Sequence, residues 1–174
     1  MDTAVNIAHT LALAERDAGR PESALPVFLG VKRLDDIIDP NELDETRTGS
    51  YYGNVGRCLY FMGQIDQALI CYQKSALLLE KTVLSHHVYN QGFIRKWLGE
   101  LLVARGQLVL GGIFLRAAYL MWCENSPPRA TEVIAMYHDV EARCNMLSDV
   151  DDTEIERVCL DWIFGRKLNE KYAA

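Results

Sequence analysis

The chain has 174 residues, 49% of them apolar, enough for one domain with a continuous core and too apolar for a disordered segment. A formal charge of -6 disfavours broad binding to nucleic acid or an anionic membrane, both of which reward a basic surface. No apolar run approaches the roughly 18 residues of a membrane span, and Met1-Asp2-Thr3 lacks the basic start of a secretory signal, so the expectation is a soluble, cytoplasmic chain.

Apolar residues recur at helical spacing throughout, which predicts an all-α protein. The first helix is expected from about Thr3 to Ala18, with Ile7, Ala8 and Leu11 inward and Gly19 as its stop. A second helix starts at Pro21, a residue suited to a first helical turn, and carries Ala24, Phe28, Val31 and Leu34 despite a donor lost at Pro26. The first helix is several residues shorter than its later counterparts, which fits either a trimmed first repeat or a start inside a longer array.

Asp39-Pro40-Asn41-Glu42 has the cap, first-turn proline and third-position acid of a helix start. A long third helix is therefore predicted from there to Met62, rather than from Ser50. It contains Gly49, Gly53 and Gly56, each costing about 1 kcal/mol against alanine, a cost that implies close packing. The fourth helix runs from Gln64 to about Lys81, the fifth from near Ser85 to Arg105, and the sixth from Gln107 to about Glu124. The sixth is apolar nearly all round, as a helix sandwiched in a stack would be. Ser126-Pro127 starts a seventh helix carrying Val133, Met136, Tyr137 and Val140 toward Leu147. Thr153 and Glu156 form a capping box for the last, whose apolar face is Ile155, Val158, Cys159, Trp162 and Ile163. The charged stretch Arg166 to Lys171 has little to bury and suits a solubilising end cap.

One register recurs three times through these helices. Val55-Gly56, Gly63, Ala68, Tyr72 and Ser75 are matched forty-three residues on by Leu98-Gly99, Gly106, Gly111, Leu115 and Ala118. They are matched forty-four residues earlier by Leu11-Ala12, Gly19, Ala24, Phe28 and Val31. Such a register marks a repeat array, in which each hairpin has an apolar face that its neighbour covers. The pattern resembles the tetratricopeptide repeat, where a small residue, a turn glycine, an alanine and an aromatic keep the spacing of Gly56, Gly63, Ala68 and Tyr72. The long period is similar to the extended subclass of Pins-type polarity adaptors, kinesin light chains and bacterial signal-transduction ATPases. The resemblance covers about residues 3 to 125. Gly111 in place of alanine, Leu115 in place of the aromatic, and the missing repeat-end proline depart from it.

The resemblance implies a right-handed α-α superhelical solenoid of four antiparallel hairpins, at about 3–38, 40–82, 85–125 and 127–171, the last degenerate. It implies noncatalytic binding of a partner's peptide or helix in a concave groove, and Asn54 takes the role of the groove asparagine that contacts a peptide backbone. Helical spacing sets Arg47, Ser50, Asn54, Arg57 and Phe61 on one face of the third helix. The equivalent faces later in the chain carry Asn90, Phe93, Lys96, Trp97 and Glu100, then Met136, Asp139, Arg143 and Met146. Three cations in an acidic chain, Arg57, Lys96 and Arg143, suit an acidic or C-terminal carboxylate ligand; pairing with Glu100, Asp139 and other neighbouring acids is the competing reading. The other functional reading is the regulatory or sensor portion of a larger signalling ATPase or transcription regulator. A homodimer through the edge of the first hairpin is a further expectation.

Nothing points to catalysis, a cofactor or a metal. His86-His87 are adjacent and so diverge on a helix. The acidic run Asp149 to Glu154 lacks the glycine and final glutamate of a calcium loop, and Gly111-Gly112 follows no strand as a dinucleotide site would need. Asp35-Asp36 and the acids from Glu42 to Glu45 are taken as solvated faces. Five cysteines without paired spacing are expected to be reduced, buried and helical. Trp97, Trp122 and Trp162 are expected in the core, with Trp97 the one placed to reach the groove.

Overall fold

A computed structural model describes residues 3–81 and 87–173, and within them the side chains of all but Thr3, His87 and Ala173. Among the described residues there are ten α-helices and no strand. The chain divides into two compact units, residues 1–78 and 79–174.

In the first unit, α1 (Thr3–Asp17) and α2 (Pro21–Leu29) form a hairpin, followed by the short α3 (Leu34–Ile38), then α4 (Gly49–Phe61) and α5 (Ile65–Lys81). Two of the three register glycines end a helix here. Gly19 and Gly63 have φ of 77° and 75°, and the next residue's N–H reaches back to the carbonyl of Glu15 or Leu59 at 2.9 Å. That is the left-handed glycine stop of a Schellman motif. Small residues hold the crossings close. Ala12 and Ala24 are fully buried, and a Cβ on Gly56 would meet the Tyr72 ring at 2.8 Å and Cys71 Cβ at 2.9 Å. Ser75 Oγ donates to the Gly49 carbonyl at 2.7 Å, so α4 and α5 are antiparallel. α2 packs on α4, and α1 touches it.

Three expectations for this unit fail. Ile7, Ala8 and Leu11 do not face inward: they are exposed, Ile7 and Leu11 at 64% and 59%, while Ala12 and Arg16 make the buried side of α1. α2 packs on that other side, and no described residue covers the Ile7 and Leu11 stripe. The second helix ends at Leu29, because Gly30 turns to φ 61°. Val31 is consequently 95% exposed and Leu34 starts a separate helix. The third long helix begins at Gly49, capped by Thr48, and not at Asp39. Asp39 does hold the N–H of Asn41 at 2.9 Å, but this makes only a turn. The buried Lys74 donates to the carbonyls of Ile37 and Asp39 at 2.6 Å each, closing α3 where the new helix was expected to open.

The second unit contains the last turn of α5, then α6 (His87–Ala104), α7 (Leu108–Trp122), α8 (Pro127–Arg143), a 3-10 turn (Asn145–Leu147), α9 (Asp152–Ile163) and α10 (Glu170–Ala173). Gly106, at φ 82°, repeats the stop, with Gln107 N–H on the Leu102 carbonyl at 2.9 Å. α6 and α7 approach closely through Gly99 and Gly111, whose added Cβ atoms would each lie 3.0 Å from the other's carbonyl oxygen. α7 is sandwiched as its composition predicts, packed on α6, α8, α9 and α10. Leu147 lies against Gly112.

The expected capping box is replaced: Asp151 caps α9 by accepting from Glu154 N–H at 2.8 Å, and Glu156 instead pairs with Arg95 at 3.1 Å. The seventh helix stops at Arg143, so Met146 sits in the 3-10 turn. The charged stretch has little to bury, as expected, with Arg166, Lys167, Asn169, Glu170 and Lys171 exposed; Tyr172 just beyond it is 1% exposed, where α10 packs on α7.

Candidate ligand-binding face

In the first unit the candidate face is built on α4. Thr48 starts this helix by accepting from Tyr51 N–H at 3.2 Å, and from there the three-and-four spacing carries Ser50, Asn54, Arg57 and Phe61. Asn54 is half-buried, and its Oδ1 accepts from Arg16 Nη1 of α1 at 2.5 Å. The Arg16 guanidinium is itself buried and paired with Asp17 at 2.7 Å. With its oxygen engaged, Asn54 has its Nδ2 amide to offer a carbonyl. Arg57 lies over the rings of Phe61 and Tyr60, 4.5 and 5.2 Å from their centroids, and Phe61 is 44% exposed. Arg47 precedes the helix, unlike its expected place within it. It lies over Tyr51 at 5.0 Å and near Asp44 at 3.7 Å.

In the second unit Lys96 reaches Glu132 of α8 at 2.6 Å and Glu100 at 3.6 Å, with its side chain 11% exposed. Trp97 is buried beside Phe93, centroids 5.5 Å apart. Arg143 pairs with Asp139 at 3.4 Å on the last turn of α8. Lys96 and Arg143 thus have the acid partners that the competing sequence reading anticipated, Glu100 and Asp139 among them. Phe93 also packs on Tyr89 and Trp122, with centroids 5.1 and 5.0 Å away, and Arg129 of α8 covers Phe93 at 4.6 Å and Tyr89 at 5.2 Å. The stripe of Tyr89, Phe93 and Trp97 at four-residue spacing is the sequence signal for this cluster. Arg129 and Trp122 come from other helices and carry no such signal.

Three of the five thiols are held in the protonated form. Burial pushes Cys58 up to about 11 and Cys71 to about 12, and raises Cys159 as well. Cys123 is exposed and Cys144 is half-exposed beyond the end of α8, so two of the five depart from the buried helical placement expected. Among the described residues no group of three or more histidine, cysteine, aspartate or glutamate side chains gathers as a metal site would need, and no helix is long and apolar enough to cross a membrane. His86 and the side chain of His87 lie outside the described residues. No protein-family model, curated protein or solved structure matches the chain.

Proposed function

We propose that the chain is a noncatalytic scaffold of the tetratricopeptide kind, a solenoid of antiparallel hairpins that holds a peptide or helix from a partner protein. The single observation that carries this reading is the repeated stop. Gly19, Gly63 and Gly106, forty-four and forty-three residues apart, end their helices with the same left-handed turn and the same backbone bond, each before a helix that packs back through small residues. Repetition of one hairpin gives neighbouring first helices equivalent faces, the usual way such arrays build a ligand surface. On α4 that face pairs the amide donor of Asn54 with Arg57, a combination suited to a peptide carbonyl and a carboxylate.

Peptides selected from a random C-terminal library on the intact chain are expected to carry an acidic side chain or to need a free C-terminus. Arg57→Glu should weaken them at least roughly tenfold, about 1.4 kcal/mol, with the chain still folded at the assay temperature by circular dichroism. Equal affinity for this variant would overturn the assignment to this face.

A further inference from the structure

Arg129, in the first turn of α8, is a cation held by rings alone. Its guanidinium lies 4.6 Å from the Phe93 centroid, 5.2 Å from that of Tyr89 and 5.9 Å from that of Trp122. The rings brace one another, since Phe93 meets Tyr89 and Trp122 edge to face, with centroids 5.1 and 5.0 Å away. Trp122 is 1% exposed and packed on α6 so closely that a Cβ on Gly92 would sit 2.5 Å from its Nε1. A guanidinium on such a floor is set in place before any ligand arrives, so less ordering remains to be done on binding.

Elsewhere in this unit arginine is answered by acid. Arg95, Arg116, Arg143, Arg157 and Arg166 each meet a carboxylate at between 2.7 and 3.4 Å. Among the described residues Arg129 has ring partners and no acid. Glu132, one turn along the same helix, is drawn instead to Lys96 at 2.6 Å. Arg129 is half-buried, and its nitrogens are open to solvent. Rings satisfy the flat sides of a guanidinium and leave its in-plane N–H donors to an oxygen acceptor.

We infer that Arg129 is the seat of a carboxylate, carried by a ligand with an apolar group beside it. The planar fork matches a planar carboxylate through two parallel N–H···O bonds. The ring of Tyr89, 43% exposed, gives the neighbouring apolar group a wall. Charge selects carboxylate over phosphate. One guanidinium balances one negative charge, whereas a phosphate at neutral pH carries close to two, and the surplus would fall near the exposed Glu132 in a chain of formal charge -6. The site shares no residue with the α4 face and is independent of that reading.

Proton–nitrogen NMR of the intact chain reads the site through the Arg129 Nε–H and the Trp122 indole N–H. The probes are N-acetyl-leucine, with a terminal carboxylate; a blocked leucyl-aspartyl-leucine amide, with a side-chain carboxylate; its phosphoseryl counterpart; and N-acetyl-leucine amide, which has no acid. Titration to about 20 mM, well past a millimolar Kd, should move both resonances with the carboxylates and not with the neutral amide. Either carboxylate supports the proposal, and the tighter of the two names the source. Arg129→Lys, which keeps a cation and removes the fork, should weaken binding at least ~10-fold with the chain still folded by circular dichroism. Carboxylate binding at the α4 face would move the Arg57 Nε–H instead. Resonances of Arg129 and Trp122 that stay still, or that move equally with the neutral amide, overturn the proposal. So does tighter binding of the phosphoseryl probe, or undiminished binding to the folded lysine variant.

Discussion

Asp44 organises the loop between α3 and α4. Its carboxylate accepts from the Thr46 hydroxyl at 2.5 Å and the Thr46 N–H at 3.1 Å, and meets Lys32 at 3.2 Å, while its own N–H donates to the Tyr52 hydroxyl at 3.0 Å. The Thr46 hydroxyl first, then Lys32 and the Thr46 backbone, hold this carboxyl down at about 2. Since the folded value lies below the usual ~3.9 of an unfolded aspartate, ionised Asp44 stabilises the fold above pH ~4, and that contribution fades as the pH falls toward 2. Carboxyl NMR titration should give a midpoint near 2, and Asp44→Asn should flatten the acid limb of the stability curve; an ordinary midpoint near 3.9 would contradict the loop geometry. The sequence offers Asp44 only as one acid among several in a solvated run. Its role depends on Lys32 and Tyr52, and Lys32 lies across the chain where no local pattern reaches.

At the scale of the element, what the sequence revealed was whatever a helix settles by itself. The ends at Gly19, Gly63 and Gly106 were legible because a residue that must take positive φ is nearly always glycine. Where α4 begins was not, since Asp39-Pro40-Asn41-Glu42 serves a turn as well as a cap, and a distant lysine decides between them. The inward face of α1 was equally illegible, because an apolar stripe says that something covers it and not which neighbour does. The two kinds of glycine should respond differently to alanine. At Gly106 nothing lies within 4 Å of an added Cβ, so Gly106→Ala should cost only the left-handed strain of about 1 kcal/mol. At Gly99 the Cβ would sit 2.7 Å from Leu115 Cγ and 3.0 Å from the Gly111 carbonyl oxygen, and backbone cannot step aside. Overpacking of this kind costs roughly 1–3 kcal/mol, and separation of the two helices should also weaken the effect of Gly111→Ala in the double variant. Urea unfolding of the three single variants and the Gly99→Ala, Gly111→Ala double variant checks both; additive losses would show that the crossing is not shared.

Across the whole molecule, charge placement was the least legible layer. The pairing of Arg16 with Asn54 spans thirty-eight residues and that of Arg95 with Glu156 spans sixty-one, separations that no helical period encodes. Of the candidate face, the three-and-four spacing puts Asn54, Arg57 and Phe61 on one side of a helix, and α4 holds all three, whereas the acids that meet Lys96 and Arg143 are legible only where they share a helix. Arg95 is the strongest case. Its guanidinium is 2% exposed and binds Glu80 at 2.7 Å and Glu156 at 3.1 Å, joining the end of α5, α6 and α9 within the second unit. Arg95→Met should leave the 12% exposed Glu80 carboxylate without its cation and cost about 3 kcal/mol. Adding Glu80→Leu should restore most of that, since an apolar pair avoids the desolvation both ions suffer. A single variant as stable as the parent would mean the pair is incidental.

The sandwiched position of α7 bears on how far the chain can be shortened. Ten of its fifteen residues are buried, and of the helices packed on it α8, α9 and α10 all follow it in the chain. A chain cut just after Trp122 would keep only α6 to shelter α7 and leave its other flank bare, a sticky fragment rather than a smaller stable domain.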